Sequence, residues 1–185
     1  MTTTASKTQW MADTAHSEVG FKVKHMMITN VRGKFEDYDV SLTTEGEDFS
    51  TAEIKFTAKT ASVNTSAEAR DTHLRSADFF DSDKYPEMKF VSTQIEKMDE
   101  GDFVLTGDLT IKDITKSVKL DVEFGGILKD PWGNDKAGFV ITGKIYRKDW
   151  GLNWNAALEA GGVLVAEDVK LNIDIQFTKN KEQVN

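Results

Sequence analysis

The chain has no cysteine in its 185 residues. That excludes disulfides, thiolate metal sites and a thiol nucleophile, and leaves the redox compartment unspecified. Its two prolines, Pro86 and Pro131, stand where elements break. No apolar run reaches the length of a membrane span, which speaks against stable membrane insertion. The polar start from Met1 to Trp10 lacks the apolar h-region of a signal peptide. A cytoplasmic protein is expected if Met1 is the native start, and a periplasmic one if Met1 heads a trimmed mature form. Basic residues are outnumbered: 23 Lys and Arg face 31 Asp and Glu, for a formal net charge of −8. The acids are scattered rather than gathered into a tail. Such a surface repels nucleic acid and anionic membranes, so nucleic acid is not an expected partner.

Signatures of catalysis are missing as well. There is no G-x-S-x-G elbow, no Walker loop and no G-x-G-x-x-G, so hydrolysis and nucleotide binding have no positive support. The three histidines, His16, His25 and His73, include no pair at the four-residue spacing that lets a helix clamp a metal. No catalytic residue, metal ligand or resident cofactor is assigned. The glycine pairs Gly125-Gly126 and Gly161-Gly162 read as turns.

What the chain does contain is alternation at period two, the mark of strands with one buried face. Val19, Phe21 and Val23 face one way and are continued by His25. Ile54, Phe56 and Ala58 repeat the pattern, as do Phe103, Leu105, Leu109 and Ile111, then Val118 to Phe124, then Phe139, Ile141 and Ile145. The cleanest set is Val169, Leu171, Ile173, Ile175 and Phe177. About eight strands are expected, near 18–28, 34–43, 51–60, 86–96, 102–112, 117–128, 137–149 and 168–179. Turn signals at Val31-Arg32-Gly33, Glu45-Gly46-Glu47, Glu100-Gly101-Asp102 and 130–134 separate them.

One short helix interrupts the strands, at about 65–80. Thr65 and Glu68 fit a capping box, Ala67, Leu74 and Ala77 form a stripe, and Pro86 stops the run after Phe79 and Phe80. Nothing divides the chain, so one domain is expected over 1–185, with its core at about 10–178. Such strands close into a barrel or pack as a sandwich, and the pattern is compatible with both. The inward small residues Ala58, Gly107 and Gly143 either mark close approaches or leave room for a ligand.

Two groups of residues suggest a site. In Arg70-Asp71-Thr72-His73, helical spacing puts Arg70 beside His73 and Leu74. The cluster either holds the helix on the sheet or forms a polar collar at the mouth of an apolar pocket. Met26, Met27, Phe79, Phe80, Trp132, Trp150 and Trp154 fall mainly at strand ends. Core packing is the default for each, while as a group near a barrel mouth they would suit an irregular lipid chain.

Several ordered motifs resemble the YceI-like family. They are Asp13-Thr14-Ala15-His16-Ser17-Glu18-Val19-Gly20-Phe21, Val23-Lys24-His25-Met26, Val31-Arg32-Gly33-Lys34-Phe35 and Ala69-Arg70-Asp71-Thr72-His73-Leu74. Further on come Asp78-Phe79-Phe80-Asp81, Tyr85-Pro86-Glu87-Met88-Lys89-Phe90, Gly107-Asp108-Leu109-Thr110-Ile111 and Arg147-Lys148-Asp149-Trp150-Gly151-Leu152. The resemblance runs from about Trp10 to Phe177. It implies an all-β fold: a single antiparallel eight-stranded lipocalin-like barrel, with the short helix near its mouth.

The resemblance also implies that an elongated apolar cavity binds and carries a long-chain polyisoprenoid or isoprenoid quinone, without catalysis. The expected partner is that lipid, and a homodimer is left open. Ligand contacts are expected among Phe21, His25, Met27, Phe56, Arg70, His73, Leu74, Phe79, Phe80, Phe90, Leu109, Ile141 and Trp150, with Asp71 inside the same motif. Two other readings stay open: an enzyme on a related lipid using His25, Arg70 and His73, and a ligand-free stress-protective module with a filled barrel. One departure is visible. Where such sequences commonly carry glycine after Ile111, this one has Lys112-Asp113-Ile114-Thr115, a turn the aspartate tolerates.

Overall fold

A computed structural model describes residues 6–181. In chain order the elements are β1 (Lys7–Ala12), β2 (Glu18–His25), β3 (Thr29–Phe35), β4 (Tyr38–Glu45), β5 (Asp48–Lys59) and β6 (Val63–Asn64). Then come α1 (Glu68–Arg75), β7 (Glu87–Lys97), β8 (Phe103–Ile111), β9 (Ile114–Lys129), β10 (Asp135–Tyr146) and β11 (Val165–Lys179). Every pairing is antiparallel. The ring runs β1-β4-β5-β7-β8-β9-β10-β11 and closes where Trp10 lies opposite Lys179. Closure is what separates a barrel from a sandwich, and it removes the free edges that an open sheet exposes.

Eight staves are formed from eleven strands because three of the staves are interrupted. A short turn at 14–16 divides β1 from β2, a bend divides β3 from β4, and a turn at 60–62 divides β5 from β6. The two halves stay in one ladder: Trp10 pairs with Leu42 below the breaks and Val19 with Phe35 above them. The period-two pattern decides which side chains enter the barrel. Phe103, Leu105, Leu109 and Ile111 of β8 are all buried, with more exposed residues between them.

Several local expectations are corrected. Strand β1 was not expected, because Trp10 is its one buried residue and the segment barely alternates. Val31-Arg32-Gly33 lies inside β3, and the turn falls instead at Met26 and Met27, both with positive φ. Gly33 reads as a turn residue but is an inward strand position, where the Phe21 ring occupies the space a Cβ would take. Gly125-Gly126 is not a turn either. Gly138 pairs with Gly126 and Phe139 with Phe124, so Gly125 is the extra residue of a bulge. The Lys112-Asp113 turn does form a two-residue hairpin, with φ of 52° and 60°.

The helix is shorter than expected, eight residues from Glu68 to Arg75, and Ala67 precedes it with no side-chain cap. Thr65 does not cap it, because its hydroxyl and its N–H both donate to Asp71 Oδ1, at 2.6 and 2.8 Å. The inward residues of α1 are Ala69, Arg70, His73 and Leu74, so Leu74 alone of the expected stripe Ala67, Leu74 and Ala77 faces the cavity among the described residues. Ala77 is exposed.

The two ends of the barrel differ. Below, Phe49 packs on Trp10, Phe124 and Phe139 with 5.1 Å between ring centres in each case. Phe103 and Phe177 extend this floor. A bulge at Thr44 in β4 turns its hydroxyl to accept from Trp10 Nε1 at 2.9 Å, which satisfies the indole inside the plug. Trp132 belongs to the turn at this floor end and is 81% exposed, so it is no part of the mouth. At the other end α1 and the long 147–164 connection flank an opening.

Candidate functional site

Between floor and mouth lies a cavity of about 560 Å³, within the usual range of about 300–1,000 Å³ for small-molecule sites. Val165 and Phe177, near opposite ends of β11, both line it. At ~3.3 Å per residue and a barrel tilt of ~35–45°, that separation is a depth of about 30 Å. The space is therefore a long, narrow tube, far longer than a round chamber of equal volume. Its walls are Val, Leu, Ile, Phe and Met from all eight staves.

The small inward residues do not hollow it out. A Cβ on Gly107 would collide with the Phe90 ring, and one on Gly143 with Leu120. Ala58 is fully buried and absent from the wall. Neighbouring side chains have already taken the room these residues leave. The tube instead follows from the width of an eight-stranded barrel whose inward side chains do not meet across the axis.

Of the thirteen expected contact residues, eleven line the tube: Phe21, His25, Phe56, Arg70, His73, Leu74, Phe79, Phe80, Phe90, Leu109 and Ile141. Met27 and Trp150 do not, which corrects both expectations. Met27 is 58% exposed on the β2–β3 turn, with its sulfur against Gly162. Trp150 is 2% exposed and donates from Nε1 to the Leu109 carbonyl at 2.9 Å, a structural bond that ties the end of β10 to β8. Asp71 is buried but faces Thr65 rather than the cavity.

All polar side chains of the wall sit at the mouth. Arg70 donates from Nε to Thr65 Oγ1 and from Nη2 to the Thr65 carbonyl, both at 2.7 Å. His73 Nε2 lies 2.8 Å from Asp78 Oδ2, and the imidazole packs edge-on against Phe79 and Trp154. Phe80, at the end of the helical segment, packs on Phe35 with ring centres 5.7 Å apart.

Arg147 was not among the expected residues. It is 4% exposed and donates to four main-chain carbonyls: Ala166 and Trp154 at 2.8 Å, Leu152 at 2.6 Å and Val165 at 3.2 Å. Burial lowers its pKa from the ordinary guanidinium value. A signal for it did exist, since Ile141, Gly143 and Ile145 point inward and 147 is the next position of that register.

The arrangement suits binding. An apolar tube with a few convergent polar groups at one end is the usual form of a ligand pocket. His73 with Asp78 has the form of an oriented base, but among the described residues no serine, tyrosine or carboxylate lines the tube to act with it. Among the described residues no group of three or more His, Cys, Asp or Glu could hold a metal ion.

Comparison with known proteins adds to this geometry. The UPF0312 protein SAS2572 of Staphylococcus aureus is 40% identical over 172 residues, covering 92% of this chain and 98% of that protein. The crystal structure of a Campylobacter jejuni YceI protein is 37% identical, covers 91% of this chain and 96% of its own, and superposes with a TM-score of 0.75. A Saccharophagus degradans polyisoprenoid-binding domain shares the fold at 12% identity and a TM-score of 0.62, covering 92% of this chain and 98% of its own. The family description "YceI-like domain" matches residues 10–177. With that span and those relatives, the chain belongs to the YceI-like family.

Proposed function

We propose that the protein binds one linear polyisoprenoid lipid along its tube and carries it in soluble form, without changing it chemically. The observation that carries this reading is the shape of the cavity: about 560 Å³ of almost wholly apolar space drawn out over the length of β11. A linear hydrocarbon fills such a space, whereas a compact ring system leaves most of it empty, and unfilled apolar wall forgoes its dispersion contacts. The Saccharophagus degradans domain of the same fold is described as polyisoprenoid binding, which supports the same class of ligand here. An isoprenoid quinone, with a long prenyl tail on a ring, belongs to that class.

The helix α1 and its aromatic end are part of the proposed site. Leu74 and Phe80 would lie against both barrel and lipid, so lipid is held by residues that also close the fold. The test is organic extraction of the purified protein followed by mass spectrometry of what is released. A linear prenyl lipid in near one-to-one ratio, reduced by Phe80→Ala in protein that remains folded, is the expected outcome. A protein that releases no lipid and takes up no prenyl compound when offered one would refute the carrier function.

A further inference from the structure

On the outside of the barrel, Lys144 of β10 lies opposite Lys170 of β11, Lys170 opposite Lys22 of β2, and Lys22 opposite Arg32 of β3. Their chain neighbours Ile145, Leu171, Phe21 and Val31 line the tube, so the four cations form one outward row across adjacent strands. Side chains directly opposed in a sheet are about 4.5–5.5 Å apart at Cβ, and like charges in such pairs are destabilising. Elsewhere the surface matches its lysines: Lys59 with Glu87, Lys129 with Asp135, Lys148 with Glu167. Among the described residues none of the four joins an ion pair. The acids of this wall stand in other rows, Asp168 opposite Tyr146 and Asp174 opposite Glu18. A net charge of −8 sets the far field, but salt screens that field beyond about 8–10 Å, so on contact the local sign decides.

The hairpin that carries Lys22 and Arg32 ends in an apolar tip. Met26, Met27 and Ile28 are 44%, 58% and 77% exposed, and Val163 in the adjoining connection is 39% exposed. Met26 and Met27 also hold positive φ, so the chain accepts strain and exposure together where Asn-Gly would incur neither. The tip stands at the mouth: the Met26 N–H donates to the carbonyl of Leu164, which lines the tube, at 2.8 Å. Lys22 lies four residues before Met26. That is about 13 Å along the strand and about 10 Å along the barrel axis at the usual tilt. Lys144 in the row lies over the Tyr146 ring, 5.6 Å from its centre, and Tyr146 is half exposed on the mouth side.

We propose that the hairpin tip and the cationic row together form a docking surface for a bilayer that contains anionic phospholipid. The tip enters the boundary between headgroups and acyl chains, where a bound apolar face lies about 5–10 Å deep. The row, about 10 Å behind it, then meets the phosphates, and each basic residue near such a surface strengthens binding about fivefold. Tyr146, apolar in its ring and polar at its end, suits the same layer. An acidic protein would answer the cations, but a narrow turn of separate apolar side chains offers it neither a groove nor a flat face. A fluid bilayer admits such a tip. This docking is peripheral and reversible, and it does not rest on the carrier reading. Taken with that reading, it sets the mouth against the membrane, where a lipid enters the tube without crossing water.

The test is co-sedimentation of the full chain with vesicles of phosphatidylcholine alone and of phosphatidylcholine mixed with phosphatidylglycerol. Partition onto the mixed vesicles is expected to be at least about tenfold stronger, and to fall as salt is raised. The double variant Lys22→Glu with Lys144→Glu should lose that preference. It makes the signs alternate along the row, so every opposed pair becomes attractive and the melting temperature should hold or rise. Ile28→Ser should weaken partition several-fold at low and high salt alike, because it removes apolar contact and leaves the charges in place. Salt dependence of the wild-type protein reads the electrostatic part without any variant.

Equal partition onto the two kinds of vesicle would overturn the inference, and so would a preference that survives both salt and the double variant. Binding to neither would also overturn it and leave the row to an acidic protein partner. The lipid released from the purified protein is measured separately, so failure of the carrier reading leaves this test intact.

Discussion

Asp13 fills the gap between β1 and β2, with Oδ2 2.9 Å from His16 Nδ1 and 3.4 Å from Lys136 Nζ. Partial burial pushes its pKa up, but the bonds to His16 and Lys136 outweigh this and hold it below the ordinary value. A carboxylate depressed in the folded state adds stability above its unfolded pKa of about 3.9, and that stability is lost as pH falls through the folded pKa. Asp13→Asn should therefore lower the melting temperature near pH 5, with the gap to wild type closing toward about pH 2. Melting curves across that range check it. A gap that stays constant would mean that Asp13 acts through something other than its charge.

At this same scale the sequence was a good guide to the wall and a poor one to its exceptions. Phe21, Phe56, Leu109 and Ile141 could be read because alternation in a strand directly states which way a side chain points. Met27 and Trp150 misled because aromatic and sulfur side chains at strand ends serve packing and ligand contact alike. Gly107 and Gly143 misled for a sharper reason. A missing side chain says that something comes close, not whether it is a ligand or the next ring, and here it is Phe90 and Leu120.

Among the elements, the hairpin turns at the mouth end are informative. The β8–β9 turn places Lys112 and Asp113 in left-handed conformation, and the β2–β3 turn places Met26 and Met27 there, with φ of 51° and 61°. Such turns favour Asn-Gly, and bulky residues in them are strained by about 1–2 kcal/mol each. Replacing Met26-Met27 by Asn-Gly should raise stability by about 1–3 kcal/mol, a shift of several degrees in melting temperature. An unchanged or lower value would show that packing of Met27 on Gly162 outweighs the strain. The helix teaches a related lesson. Thr65 and Glu68 carry a local capping pattern, but Asp71 is buried and takes both Thr65 donors, so a tertiary bond displaces the local one.

For the molecule as a whole, barrel and sandwich could not be told apart by pattern, because both bury one face of every strand. The difference rests on β1, the strand with the least alternation, which meets both β4 and β11 and shuts the ring. The floor was equally hard to foresee. Phe49 is one buried aromatic among many in sequence, yet it touches three other rings and lines the bottom of the tube. Phe49→Ala should cost about 3–5 kcal/mol while deepening the cavity. If the floor sets tail length, the variant will favour longer prenyl chains than wild type in a competition among tails of graded length. A lower melting temperature with the same preferred length would put the length limit elsewhere.

Because the aromatic plug shuts one end, whatever enters the tube has to back out through the same opening. A protein that carries lipid as proposed above would be a single berth with one door, where a donor and an acceptor could not attend at once from opposite sides. They would take turns at the same face, each excluding the other while it is there. Transfer would run in two separate half-steps, and a large excess of either party would slow the whole cycle by keeping the door occupied. The direction of traffic would be set by the relative abundance of full and empty partners, since nothing in a blind tube distinguishes arrival from departure.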